Sequence, residues 1–246
     1  DSPIPKIVNA INKSPIKKVM KGLFDEMKGE GPGKLAVKLQ IPLKDEDNIT
    51  FKGNYEFQNS YLINDSLGMP KIENIFGYVE FDQNNIEIKE AKATILDSPI
   101  KLSLNNLGDI TQVNIDGIIN EDFFRSAFGD DWANKLIGEA SWFGEIKIKD
   151  KTTDIMVSSD LKGLQSDLPL PFNKDKDEVK TFLFTKQASK VNQEIIKAEI
   201  STIVFAKLIK EIDANGKMEF KNGLISINSP QKKLPEQGIL LFAELS

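Results

Sequence analysis

The chain of 246 residues carries 32 Lys+Arg against 37 Asp+Glu, a net charge of −5, and contains neither Cys nor His. That composition excludes disulfides, thiolate nucleophiles, Cys- or His-ligated metal sites and every mechanism that needs an imidazole base. A mildly acidic chain is a poor partner for nucleic acid, and no apolar run approaches the ~20 residues of a membrane helix.

The length suits one large domain or two small ones. The chain opens at Asp1 without a Met, as expected of a processed product or a slice of a longer protein. Residues 1–29 read as a helical segment packing on the sheet that the rest of the chain forms. Ser14 is a helix cap with Pro15 at the first position, and Ile16, Val19, Met20, Leu23 and Met27 recur at helical spacing before Gly29. The run Gly29-Glu30-Gly31-Pro32-Gly33 is a strong break.

From residue 30 to 246 the period is two. Leu35, Val37, Leu39, Ile41 and Leu43 alternate with wetter residues, the pattern of a half-buried antiparallel strand. The alternation returns at 49–57, 75–81, 86–96, 100–104, 110–119, 144–148, 154–161, 180–184, 194–206, 216–220 and 223–228. Turn residues separate the runs at Gln58-Asn59-Ser60, Asp82-Gln83-Asn84-Asn85 and Lys221-Asn222-Gly223. The fold class predicted is mainly β, a long antiparallel meander. One helix interrupts it: Asn120 caps 121–128, and a second turn over 130–137 ends at Gly138. Its aromatic residues are expected to plug one end or face of the sheet. Residues 205–212 are ambiguous between strand and helix.

A short repeat reads Gly-x-apolar-Glu-Phe at Gly53–Phe57, Gly77–Phe81 and Gly216–Phe220. Its period places the apolar residue and the Phe on one face and the Glu on the other. The glycine marks a bend or bulge.

No constellation for catalysis stands out. The acidic clusters at 45–47, 130–131 and 175–178 lack the alternating ligand series of a Ca²⁺ loop. There is no phosphate-binding glycine loop and no Gly-x-Ser-x-Gly elbow. A glycosidase needs only two carboxylates, but no pair is distinguished among the 37 acids. The reading is therefore of a protein that is not an enzyme, with no cofactor or metal.

The segment Ser159-Asp160-Leu161-Lys162-Gly163-Leu164, continuing through Leu168-Pro169-Leu170-Pro171-Phe172 to Lys174, is an apolar loop whose prolines stop sheet pairing. Its leucines and Phe172 are expected to pack on the sheet edge. The segment resembles the Ser-x-Leu-x-Gly-Leu…Leu-Pro-x-Pro…Lys signature of the YhdP proteins, within the AsmA-like group that includes TamB. Ile41-Pro42-Leu43, the 70–81 hairpin, Gly138-Glu139-Ala140-Ser141-Trp142 and Leu234-Pro235-Glu236-Gln237-Gly238 resemble further family elements in the same order. Leu96-Asp97-Ser98-Pro99 departs from the pattern, which leads one to expect Gly at 97.

The resemblance implies a curved, taco-like or half-barrel sheet within a long periplasmic protein anchored in the inner membrane of a Gram-negative cell. Its apolar groove would carry phospholipids between the inner and outer membranes. The expected partners are phospholipid acyl chains, neighbouring segments of the same long chain, and envelope proteins. The in-phase apolar residues are the candidate lining: Leu35, Val37, Leu39 and Ile41, then Tyr55 and Phe57, Val79 and Phe81, Leu102 and Leu104, and Met218 and Phe220. A β-sheet core needs the same alternation without any lipid. The alternative is a non-conducting envelope scaffold or protein-interaction module.

Overall fold

A computed structural model describes residue 5 and residues 27–40, 42, 50–64, 69–149, 152–190, 192–213, 217–229 and 233–244. The predicted helix stripe from Ile16 to Leu23, Ile41 and Gly216 lie outside the described residues. The protein is mainly β. Its first strands are β1 (Met27–Glu30), β2 (Gly33–Gln40), β3 (Thr50–Asn64), β4 (Ile72–Asp82), β5 (Ile86–Ile95), β6 (Ser98–Leu107) and β7 (Ile110–Ile119). Helix α1 (Glu121–Phe128) and the single turn α2 (Asp130–Ala133) follow. Then come β8 (Leu136–Gly138), β9 (Ala140–Lys149), β10 (Thr152–Ser159), β11 (Leu164–Ser166) and β12 (Phe182–Lys190). The last are β13 (Gln193–Ile200), β14 (Val204–Ile212), β15 (Met218–Ile227) and β16 (Gly238–Ala243).

Among the described residues fourteen strands form one sheet in the order β1-β3-β4-β5-β6-β7-β9-β10-β12-β13-β14-β15-β16, with β2 also on β3. The order does not return on itself, so the sheet is not closed. The strands β8 and β11 form a small sheet of their own. The chain divides into two compact units, residues 1–116 with 147–152 and residues 117–146 with 153–246. No helix among the described residues is long and apolar enough to cross a membrane.

Local chemistry explains most junctions. Asp82 Oδ1 accepts from the backbone N–H groups of Asn84 and Asn85 at 2.7 and 2.9 Å and shapes the turn between β4 and β5. Leu96 and Asp97 have φ of 49° and 59° while Ile95 faces Ser98, which is a two-residue type I′ hairpin. Asp tolerates the left-handed region, so the missing glycine costs the turn little. Asn120 Oδ1 accepts from Phe123 N at 3.0 Å, the predicted cap of α1. Arg125 pairs with Glu121, with Asp122 at 2.9 Å and with Asp130 at 3.0 Å, joining the two helical turns.

Several predicted boundaries are corrected. Met27–Glu30 is a strand, not a helix end, because it ladders onto residues 61–64 of β3 and pairing overrides the helical spacing. Asn59 is a bulge inside a single 15-residue strand, not a turn, with φ 60° and a register slip between Gln58 and Ser60. Lys221 is likewise an extra residue within β15, since Ile209 faces Asn222 and Lys210 faces Phe220. Residues 194–206 break at a turn where Ser201 has φ 46°, and the ambiguous 205–212 is strand β14. Helix α2 stops at Ala133, and 136–138 is strand. The final strand departs from the antiparallel meander: β16 pairs parallel to β15. Asn222 Nδ2 donates to Pro235 O at 3.0 Å and holds the connection so that Gly238 starts beside Asn222.

Candidate apolar binding sites

In the first unit the sequence repeat explains the packing. The two copies at 53–57 and 77–81 are antiparallel partners: Gly53 faces Phe81, Tyr55 faces Val79, and Phe57 faces Gly77. Opposite residues share a face, so each glycine stands across from the other copy's phenylalanine. A Cβ at Gly53 would sit 2.7 Å from the Phe81 ring, so only glycine leaves that ring its place. On the other face Tyr78 Oη donates to Glu56 Oε1 at 3.2 Å. Tyr55 and Phe57 meet edge to face at 4.9 Å, and Phe51 lies 6.5 Å from Phe81. Burial pushes the Tyr55 phenol above its ordinary pKa, which keeps it neutral.

The structure brings nine of the twelve predicted lining residues onto this one face. Tyr55, Phe57, Val79, Phe81, Leu102 and Leu104 are buried. Leu35, Val37 and Leu39 on β2 stand opposite Tyr55, Gly53 and Phe51 and continue the face to the sheet's edge. There they are 38%, 50% and 56% exposed. Removing such a side chain from water is worth roughly 1.5–3 kcal/mol, so this rim is an unused apolar contact surface. Met218 and Phe220 belong to the second unit. They lie on β15, Met218 half-buried and Phe220 exposed with Lys210 Nζ 4.6 Å over its ring. Across from Phe220 stands Lys210, not a glycine, so the third copy of the repeat does not reproduce the first pair.

In the second unit the signature segment folds into a clasped loop. Ser159 Oγ donates to Ser141 O at 2.7 Å and accepts from Leu161 N at 3.0 Å. Gly138 and Gly163 have φ of +92° and +95°. A Cβ on Gly138 would lie 2.3 Å from Gly163 O, and one on Gly163 would lie 2.4 Å from Glu139 O. Those carbonyls are backbone and cannot turn aside, so both positions require glycine. Leu164 faces Gly138 across the small sheet, and Ser166 and Lys174 exchange backbone hydrogen bonds at 2.9 and 3.0 Å.

Lys174 fastens the loop from inside. It is 4% exposed, and its Nζ donates to Leu164 O at 2.7 Å and Asp175 O at 3.0 Å. Burial lowers its pKa below the ordinary lysine value. Lys180 Nζ donates to Asn173 O and, at 3.5 Å, to Pro171 O, and it lies 3.6 Å from Glu178 Oε1.

Beneath the loop lies a cavity of about 340 Å³. Phe124 and Phe128 of α1 and Trp132 of α2 form one wall. Leu136 of β8 and Leu164 of β11 form the floor, while Leu161, Leu168 and Phe172 come from the loop. Ile200 and Ile203 close it from the turn between β13 and β14, and Ser166, Lys174 and Lys180 are its polar residues. The aromatic residues are therefore a wall more than a plug: Phe128 is 62% and Trp132 53% exposed. The loop's apolar residues do pack inward, except Leu170, which is 67% exposed.

Lys174, Lys180, Ile200 and Ile203 are not legible in the sequence as parts of one site. The loop's apolar spacing was the available signal. Nothing local links it to residues 200–203, because that proximity arises only when β12 and β13 pair.

The family described as YhdP protein matches the chain over residues 1–245. Comparison with curated proteins and with solved structures gives no match.

Proposed function

Because the chain belongs to the YhdP family, we propose that it is a segment of a periplasmic, inner-membrane-anchored conduit that carries phospholipids along an apolar face of its sheet. The observation that carries this reading is the one-sided face of β2 to β6, buried at Tyr55, Phe81 and Leu102 and exposed at Leu35, Val37 and Leu39. Hydrocarbon sliding over such a surface gains about 0.8 kcal/mol per methylene without headgroup contacts, which suits transfer of many lipid species. No catalytic group is required, and among the described residues the sheet ends on unclosed edge strands, which neighbouring segments of a longer chain could extend.

A test is phospholipid retention. The purified chain is expected to carry phospholipid detectable by mass spectrometry. The double variant Val37→Asp, Leu39→Asp is expected to retain about tenfold less or lower still, with unchanged unfolding, since both side chains are exposed in the free protein. Equal retention by the variant would contradict the reading.

The second reading, a scaffold or protein-interaction module, is favoured by β16. This edge strand exposes Ile239, Leu240 and Leu241 at 55%, 40% and 62%. An apolar strand at the edge of a sheet is suited to pairing with another strand.

A further inference from the structure

We propose that the cavity under the signature loop is a binding site for one small, uncharged, apolar molecule. The site belongs wholly to the second unit, so it stands or falls separately from a lipid path over the first unit's face. The backbone fixes the cavity's rim at separate points. Gly163 N donates to Lys176 O at 2.9 Å, Asp167 N to Lys135 O at 2.8 Å, and Lys180 N to Asp160 O at 3.1 Å. Together with the close approach of Gly138 and Gly163, these bonds set the height of the loop over β8 and β11. That height is therefore fixed by hydrogen bonds and not by side chains packing down onto Leu136 and Leu164, which keeps the site preformed.

The polar residues of the lining are engaged within the loop itself. The Lys174 ammonium donates to Leu164 O at 2.7 Å and to Asp175 O at 3.0 Å, and the Lys180 ammonium donates to Asn173 O and Pro171 O. Ser166 Oγ accepts from Leu168 N at 3.4 Å. The rest of the lining is hydrocarbon: the rings of Phe124, Phe128, Trp132 and Phe172, and the side chains of leucines and isoleucines. Such a lining decides the class of occupant by exclusion. A volume of about 340 Å³ has room for roughly ten waters at ~30 Å³ each, but a buried water needs about two to four polar partners and the lining's polar groups are already bonded. An ionised head would give up its hydration and meet no counter-charge. An uncharged apolar molecule gives up nothing on entry and removes both its own surface and the cavity's from water. The volume is at the low end for ligand pockets, which suits a small molecule and not a diacyl lipid.

The test is a fluorescence titration of the whole 246-residue chain with two probes that share one skeleton. N-phenyl-1-naphthylamine is uncharged at neutral pH, and 1-anilinonaphthalene-8-sulfonate adds a sulfonate to the same rings. The uncharged probe is expected to bind saturably at one site, and the sulfonate at least about tenfold more weakly. Ile203→Phe, which fills the cavity from the half-buried turn, weakens the uncharged probe about tenfold; Ile200→Phe does the same from the neighbouring strand. Circular dichroism confirms that each variant is folded. The proposal is overturned if the uncharged probe does not bind saturably, if the sulfonate binds as tightly, or if both phenylalanine variants bind the uncharged probe as the parent does.

Discussion

Gly163→Ala is expected to destabilise the protein by about 3–5 kcal/mol, read from denaturant unfolding. Two costs combine. The residue has φ +95°, where a side chain adds strain of about 1–3 kcal/mol. The new Cβ would also lie 2.4 Å from Glu139 O, which belongs to the backbone between β8 and β9. Relief requires opening the small sheet, and with it the contact of Leu164 with Leu136 and Ala140. Gly108→Ala is the control. It too has positive φ, +61°, but nothing lies within 4 Å of its Cβ position. It should cost only about 1–2 kcal/mol. Equal losses at the two sites would show that the clasp between Gly138 and Gly163 contributes nothing beyond backbone conformation.

Lys174→Met is the second large effect, an expected loss of about 2–4 kcal/mol. The substitution keeps the apolar stem but strands the carbonyls of Leu164 and Asp175, both of which accept from Nζ. A buried acceptor without a donor costs about 1–3 kcal/mol, partly offset because an ammonium no longer has to be desolvated. A pH signature separates this role from simple packing. Burial depresses the folded-state pKa of Lys174, so the unfolded chain binds that proton more tightly. Stability contributed at this site therefore rises as pH climbs from the folded pKa toward the unfolded lysine value, and is lower below that window. The stability gap between parent and Lys174→Met should widen with pH through that window. A gap that stays constant would mean that Lys174 is held in the fold much as it is in water.

The sequence and the structure agree where one face or one turn decides the outcome. The alternation of Tyr55, Phe57, Val79 and Phe81 announces a one-sided sheet, and those residues are buried together. Asn120 caps α1 because capping is a local interaction. What could not be read depends on partners distant in the chain. Polar residues at 58–60 and 221–223 look the same whether they reverse the chain or bulge within a strand. Whether β16 joins parallel or antiparallel depends on the path of residues 229–237, which Asn222 constrains. The signature segment was recognisable as a motif, but its purpose was not. Lys174 reads as a surface charge in a loop, and only the closed loop shows it turned inward onto Leu164. The rim of β2 is a similar case. Its alternation predicts burial, but among the described residues β2 pairs with β3 alone, so Leu35, Val37 and Leu39 keep the phase of the buried face while remaining exposed.

That combination, a buried apolar face with an exposed apolar rim, is the basis of the proposed lipid path. The most direct test is photo-crosslinking in the presence of phospholipid vesicles, with a photoreactive residue at Val37, Leu39 or Lys38 in turn. Val37 and Leu39 share the face of Phe51 and Tyr55, whereas Lys38 points to the other side of the strand opposite Lys52. Phospholipid adducts are expected from Val37 and Leu39 and none from Lys38. Adducts from all three positions alike, or from none, would contradict it.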